Sequence, residues 1–124
     1  MSSRLSRGRL VLQRAPVDLA VTARQTVADY ARFLDMIRRG GVHEGRRLMG
    51  SRAVGLMTTN QIGDLRNTNG LGYGYGFETT DRFGANELDS VGAFGWGGAY
   101  GSIYRVDPDS GIVMTLMFQM IPNR

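Results

Sequence analysis

The chain has 124 residues, enough for one domain with a modest hydrophobic core, and 42% of them are hydrophobic. It has no cysteine, and all 15 basic residues are arginine. Within these residues the composition therefore excludes disulfides, thiolate chemistry and any mechanism that uses a lysine. No apolar run reaches the roughly 18 residues that a membrane-spanning helix needs, so no membrane span is predicted.

Basic charge is concentrated in the first half of the chain. Residues 1–66 hold 12 arginines against 5 acidic residues, a net charge of +7, whereas residues 67–124 carry a net charge of −3. A basic half can attract nucleic acid or an anionic surface, although a solvated face is the commoner outcome. Because the arginine- and serine-rich start resembles a leader, we expect residues 1–22 to be disordered or non-native and residues 23–124 to form the domain.

The first predicted element is a helix that begins after Thr26. An acidic residue follows three positions later, as in a capping box. Gly40-Gly41 would end the helix. Between these limits the apolar residues have helical spacing: Val27, Tyr30, Leu34 and Ile37.

The next segments predict a short hairpin or loop and a second helix. Residues 41–48 have the composition of a surface turn, which would leave His43 exposed. Ser51 is expected to cap a shorter helix that ends near Thr59. Residues 61–70 have the composition of a loop.

Three strands are predicted in the second half. Residues 71–78 alternate glycine with aromatic residues, which favours one strand that another backbone approaches closely. A polar excursion over 79–94 leads to a glycine-opened strand over 94–106 and a turn at Asp107–Gly111. Residues 112–120 are apolar on both faces, as expected of a covered strand. The predicted fold class is therefore α+β, with two helices and an antiparallel sheet of about three strands.

Candidate catalytic and metal-binding residues are few. His43 is the only histidine, which with no cysteine argues against a zinc site. No Gly-x-Ser-x-Gly turn presents a serine for a Ser-His-Asp triad. The carboxylate pairs Glu87/Asp89 and Asp107/Asp109 lie in predicted turns, where aspartate accepts hydrogen bonds from backbone N–H groups. We predict no metal and no cofactor.

One stretch offers an RNA-binding alternative. Residues 72–75, Gly-Tyr-Gly-Tyr, match the middle of the RNA-recognition-motif consensus, whose aromatic side chains stack on bases. The flanks differ, because Leu71 replaces the basic first residue and Glu78 replaces a stacking aromatic. An RNA-binding module is therefore the less favoured alternative, and no nucleic-acid partner is predicted.

Four segments in a fixed order carry a family resemblance. They are residues 28–34 with Gly40-Gly41, Leu56-Met57-Thr58-Thr59-Asn60, residues 72–77, and Trp96-Gly97-Gly98-Ala99-Tyr100-Gly101 with Val106-Asp107-Pro108. From about Ala28 to Pro122 the chain resembles the C-terminal part of the serine β-lactamase and penicillin-binding-protein superfamily. It is most similar to the class C-like branch that includes β-lactamase-fold carboxylesterases.

The resemblance implies roles for four residues. In that family an active-site strand carries Lys/His-Ser/Thr-Gly, and the esterase-like branch has Trp-Gly-Gly there. Trp96, Gly97 and Gly98 would accordingly line the substrate cleft. The backbone N–H of Ala99 would donate to the oxyanion, a contribution of about 3–4 kcal/mol to transition-state stabilisation.

The remaining motifs of the family are absent from this chain. The nucleophile lies in Ser-x-x-Lys, which needs a lysine, and Tyr-x-Asn does not occur. We therefore expect a fragment of a serine hydrolase of esters or amides that lacks the N-terminal catalytic part and the C-terminal helix. Such a fragment would be inactive alone, and a complementing chain or self-association would cover its sheet. The alternative is a non-catalytic binding or assembly domain that keeps part of the fold.

Overall fold

The computed structural model of the chain describes residues 11–12, 23–24, 26–66, 69–99 and 101–117. The fold of these residues is α+β, as predicted, with two helices and nine strands. In chain order the elements are β1 (Val11–Leu12), β2 (Ala23–Arg24), α1 (Val27–Arg38), β3 (Val42–His43), β4 (Arg46–Arg47), α2 (Ser51–Thr58), β5 (Leu71–Tyr73), β6 (Glu78–Thr80), β7 (Phe94–Gly97), β8 (Ile103–Asp107) and β9 (Ile112–Leu116).

Most strands belong to one antiparallel sheet with the order β5-β6-β7-β8-β9. The prediction of about three strands is wrong, because each of two glycine-rich stretches forms a hairpin rather than a single strand. In the first, the Gly74 N–H donates to the Phe77 carbonyl at 2.8 Å and Gly76 has φ of 101°. In the second, a turn separates β7 from β8, and Gly101 has φ of 91°. Glycine supplies this left-handed backbone without steric strain.

Two smaller sheets lie earlier in the chain. β1 pairs with β2, and β3 pairs with β4, each in antiparallel orientation. The second pair confirms the predicted hairpin within residues 41–48. Of the leader predicted over residues 1–22, the structure describes only β1, and its other residues lie outside the described ranges.

Helix α1 forms where its local signals predict it. The Thr26 hydroxyl accepts a hydrogen bond from the Asp29 N–H at 3.1 Å, which satisfies one of the unpaired donors of the first turn. At the other end, Arg38 and Arg39 both bind Asp35 at 2.8 Å. The predicted cap of α2 is wrong, since Gly50 holds the N-cap position without a side-chain bond and Ser51 is the first helical residue.

The hydrophobic core lies between the helices and one face of the large sheet. Its buried side chains come from both helices and from the segments around the central strands: Leu34, Met36, Ile37, Val54, Phe77, Phe94 and Val106. At its margin the Tyr30 and Tyr104 rings meet edge to face at 4.9 Å. Burial raises the pKa of both phenols, so this pair remains uncharged.

On the opposite face of the sheet, β9 and the first residue of β8 present exposed apolar side chains, while Arg105 and Asp107 of β8 share this face. The register places Ile103 opposite Leu116 and, two residues along each strand, Arg105 opposite Met114. Ile112, Met114 and Leu116 are exposed by 57%, 46% and 46%, so the expected cover on both faces of this strand is absent over residues 112–116. We call the four apolar residues of this surface the outer face: Ile103, Ile112, Met114 and Leu116.

The turn between β8 and β9 is organised by Asp107, as the sequence predicts. Its Oδ1 accepts hydrogen bonds from the N–H groups of Asp109 at 3.0 Å and Ser110 at 3.2 Å. Its Oδ2 accepts one from the Ser90 N–H at 3.2 Å. Burial alone would raise the pKa of the Asp107 carboxyl, but the bonds from Ser90 and Ser110 outweigh it and lower the pKa below its usual value.

We expect the free energy of unfolding of Asp107→Asn to depend less on pH in the acid range than that of the wild type. Because the pKa of Asp107 is lower in the folded chain, its contribution is complete above the unfolded pKa of about 3.9 and is lost as the pH falls through the folded pKa. At pH 7 the variant should lose about 1 kcal/mol, because the single amide oxygen can accept from the turn N–H groups or from the Ser90 N–H but not from both sides, in a site that is partly solvated.

Urea unfolding followed by circular dichroism at several pH values between 2 and 7 measures this. Asp109→Asn, an exposed change in the same turn, is the control. Equal pH dependence in the wild type and Asp107→Asn would contradict the prediction.

Candidate functional site

The Trp96–Ala99 segment comprises the last two residues of β7 and the start of the turn that follows it. The β6–β7 ladder ends at the pair Glu78–Gly95, whereas among the described residues Trp96 and Gly97 pair with β8 alone, on the other side. The Gly98 N–H donates to the Ser102 carbonyl at 2.7 Å, and the Gly101 N–H closes a turn on the Gly98 carbonyl at 3.1 Å. The sequence-predicted site residues are therefore contiguous at one end of the sheet.

Among the described residues the backbone N–H of Ala99 has no hydrogen-bond partner. Ala99 is the exposed second residue of the turn from Gly98 to Gly101. The preceding N–H is used on Ser102, and within the described ranges no hydrogen bond occupies the Ala99 N–H. Tyr100, which follows it in the resemblance motif, lies outside the described residues.

Gly95, Gly97 and Gly98 differ in whether packing requires a glycine at the position. A Cβ on Gly95 would stand 2.3 Å from the Tyr104 carbonyl oxygen and 2.8 Å from Arg105 Cδ, so packing requires glycine there. At Gly97 the nearest atom, the Ser102 carbonyl oxygen, would be 3.4 Å away, and at Gly98 the nearest is 3.7 Å away. The fold therefore admits a side chain at Gly97 and Gly98, although the sequence leaves this backbone bare.

Trp96 is half exposed and is held by aromatic and cationic neighbours. Its ring meets Tyr73 edge to face, with centroids 5.0 Å apart and planes at 80°. The Arg66 guanidinium carbon lies 5.6 Å from the Trp96 centroid and 5.9 Å from that of Tyr73. Sequence reasoning missed Arg66, since an arginine in a polar loop carries no signal that relates it to a strand thirty residues later.

A partly buried ion-pair network lies beside this aromatic cluster. Arg105 donates from Nε to Asp89 at 2.5 Å, from Nη2 to Thr80 at 2.8 Å and from Nη1 to Glu78 at 3.4 Å. The other oxygen of Glu78 accepts from Arg66 at 3.1 Å. Only 13% of the Arg105 side chain and 18% of the Glu78 side chain are exposed. Because a partly desolvated charge is costly unless it is paired, the opposite charges of these two side chains stabilise each other.

The other candidate residues lie elsewhere. His43 is in β3, opposite Arg46, with its Nε2 3.9 Å from Glu44. Across the described residues no three His, Asp or Glu side chains are grouped as metal ligands would be. In the same part of the chain, neither helix has the length and apolar character required to cross a bilayer.

The fold of this chain is similar to that of part of a solved hydrolase. The solved structure of EstCE1, a hydrolase with promiscuous acyltransferase activity, superposes with a TM-score of 0.65 at 16% sequence identity. The match covers 93% of this chain and 35% of EstCE1.

The chain belongs to the β-lactamase family, because the sequence model of that family matches residues 3–121. Two curated relatives are Protein Rv1367c of Mycobacterium tuberculosis strain H37Rv and Uncharacterized protein MT1414 of strain CDC 1551. Each is 28% identical over 111 residues, which is 79% of this chain and 28% of the relative. The chain thus spans less than a third of the length of these relatives.

We expect alanine to be tolerated at Gly97 and not at Gly95. Gly95→Ala should lower the free energy of unfolding by about 1–3 kcal/mol, the usual effect of overpacking, because its Cβ would meet backbone of β8. Gly97→Ala should change it by less than about 0.5 kcal/mol. Urea unfolding of the two variants measures the difference, and equal destabilisation would show that Gly97 is also a packing glycine.

Proposed function

We propose that this chain supplies one wall of a serine-hydrolase cleft, with Trp96, Gly97 and Gly98 lining it and the Ala99 N–H as an oxyanion donor. The nucleophile and the base, which the family carries in Ser-x-x-Lys and Tyr-x-Asn, would come from polypeptide outside these 124 residues. The reaction class is hydrolysis of an ester or amide through acyl transfer.

This proposal rests on the Ala99 N–H, which has no hydrogen-bond partner among the described residues and lies beside bare backbone. Gly97 and Gly98 are glycines that packing does not require, and bare backbone lets a substrate approach the strand closely. Belonging to the β-lactamase family supports a hydrolase, and the described activity of EstCE1 supports acyl transfer.

The chemistry assigned to Ala99 needs its backbone alone. When a serine oxygen bonds to the substrate carbonyl carbon, the π electron pair moves onto the carbonyl oxygen. A fixed N–H donor stabilises that developing charge without reorganisation. The proton of the serine passes to a base, and no group in this chain is assigned that role. A donor without nucleophile and base has no acyl-enzyme to assist.

The isolated chain should therefore show no hydrolysis. We expect p-nitrophenyl butyrate and nitrocefin to be consumed at the rate of buffer alone. Spectrophotometric assays with purified protein measure this. Hydrolytic activity that co-purifies with the chain and scales with its concentration would contradict the proposal that the nucleophile and the base come from other polypeptide.

A complementation experiment tests the role of Ala99. The chain is co-expressed with the part of EstCE1 that it does not cover, and ester hydrolysis by the purified complex is measured. Ala99→Pro removes the N–H yet suits the second position of the turn, and it should lower kcat by about 100- to 1,000-fold. Ala99→Ser keeps the N–H and should stay within about threefold of the wild type, a change of less than 1 kcal/mol in the barrier.

Equal rates for Ala99→Pro and Ala99→Ser would contradict the oxyanion role. A stable complex without any activity would contradict the proposal that this chain completes the cleft.

The outer face favours a second function, that of a binding or assembly surface. Four exposed apolar side chains lie together on β8 and β9, and contiguous apolar surface of this kind favours association. In an intact hydrolase the complementing polypeptide would cover this face. In the isolated chain a second copy would take its place.

The isolated chain should accordingly self-associate through the outer face. Met114→Ser should weaken the dimer about tenfold, equivalent to 1.4 kcal/mol, because it removes apolar contact area. Leu48→Ser, at an exposed leucine outside the outer face, is the matched control and should leave association unchanged. Analytical ultracentrifugation measures both, and a wild-type monomer at high concentration would contradict the prediction.

A further inference from the structure

Trp96 has a defined orientation although more than a third of its side chain is exposed. Its exposed fraction is 39%, and it lies beyond the end of the β6–β7 ladder. One ring neighbour, Tyr73, meets it edge to face at 5.0 Å. Such an aromatic pair contributes about 0.5–1.5 kcal/mol, which by itself is a weak restraint on a large ring at the end of a strand.

Arg66 supplies a second restraint. Its guanidinium carbon lies within 6 Å of the centroids of both rings, at 5.6 Å from Trp96 and 5.9 Å from Tyr73. At this separation a guanidinium is attracted to the face of an aromatic ring. One cation therefore contacts both members of the ring pair.

The position of Arg66 is itself fixed by Glu78. Arg66 Nη1 binds Glu78 Oε2 at 3.1 Å, while Glu78 Oε1 accepts from Arg105 at 3.4 Å. Arg105 is held in turn by Asp89 and Thr80. The carboxylate that anchors Arg66 is thus connected to a partly buried network, unlike that of an isolated surface ion pair.

A simple surface salt bridge is the alternative explanation for Arg66. Exposed ion pairs contribute roughly 0–1 kcal/mol and are held loosely. Two observations favour a more specific role: the Glu78 side chain is only 18% exposed, and the guanidinium contacts two rings in addition to the carboxylate.

We propose that Arg66 is a positioning residue for Trp96, and that the guanidinium, anchored on Glu78, holds the indole against Tyr73 at the entrance of the cleft. The significance for a cleft rests on the proposed function, whereas the orientation of Trp96 does not. Arg66 donates no proton and contacts no reacting atom in this role. It acts only through the ring it orients.

Trp96 is the single tryptophan of the chain, so its fluorescence reports this contact directly. In the full chain, Arg66→Gln should raise the acrylamide quenching constant by about 1.5-fold or more and shift the emission to longer wavelength, because the ring loses its cationic cover. Arg66→Lys keeps the charge without the planar fork and should give an intermediate value.

Arg52→Gln is the matched control, since it removes an exposed arginine of α2 and should leave the fluorescence unchanged. Glu78→Gln removes the anchor and should raise quenching as Arg66→Gln does. The double variant Arg66→Gln/Glu78→Gln should be no worse than the stronger single variant, because both changes release the same contact. Circular dichroism verifies folding of each variant.

The proposal is overturned if the quenching of Arg66→Gln equals that of the wild type and Arg52→Gln, or if Glu78→Gln leaves quenching unchanged. Should Arg66→Gln fail to fold, the comparison of Arg66→Lys and Glu78→Gln with the wild type decides the same question.

A separate assay tests the link to the cleft. In the active complex with the uncovered part of EstCE1, Arg66→Gln should raise KM about three- to tenfold and leave kcat within about twofold, as expected for a group that shapes substrate binding. An unchanged KM would overturn the link to the cleft. A wild-type complex without activity would refute the proposed function and leave the fluorescence result unaffected.

Discussion

The close passage of Arg105 over Gly95 is the contact on which the organisation of the sheet depends. Any side chain at Gly95 would collide with the Tyr104 carbonyl and with Arg105 Cδ. The bare backbone lets Arg105 extend across β7 and reach Glu78 and Thr80 on β6. A cation that is 13% exposed needs such partners. Because Gly95 has no side chain, Arg105 on β8 can cross β7 and form hydrogen bonds with β6.

The same network connects the scaffold to the candidate site. Asp89, in the polar segment between β6 and β7, accepts a hydrogen bond from Arg105. Glu78 accepts one from Arg66, whose guanidinium lies over the Trp96 ring. The hydrophobic core lies on the other face of the sheet, where Phe94 and Val106 meet the helices. The sheet therefore has an apolar face that stabilises the fold and, over β6 to β8, a polar network that contacts Arg66 beside Trp96.

Local signals predicted the helices better than the strands. Helix α1 depends on Thr26, on apolar spacing and on Gly40, all within one short segment. The strand count was wrong because glycine in a sequence marks both a closely approached strand and a hairpin turn. Gly95 is the first kind and Gly76 the second, and only the paired backbone separates them. Serine is a favoured N-cap type, so the sequence predicts Ser51 as the cap, whereas the backbone places Gly50 there.

The candidate site follows from the sequence only in part. Resemblance to a family that the chain does belong to predicts Trp96 to Ala99 as site residues, and their roles stay a prediction. Arg66 was not identified, because its role arises from contacts with Trp96 and Glu78 that no local pattern encodes. Contacts between distant segments are the part of a site that a single sequence leaves open.

The termination of the β6–β7 ladder at Gly95 has a mechanical consequence. At Gly95, β7 pairs with β6 on one side, opposite Glu78, and with β8 on the other, opposite Arg105. Along Trp96 and Gly97 the described pairing is with β8 alone. Beyond Gly95, the segment that leads to Ala99 is held by β8 and by the Gly98 N–H on the Ser102 carbonyl. The orientation of the proposed oxyanion donor would then depend on how firmly Arg105 is held beside Gly95, so we expect charge-altering changes at Glu78 or Asp89 to affect it without contacting Ala99.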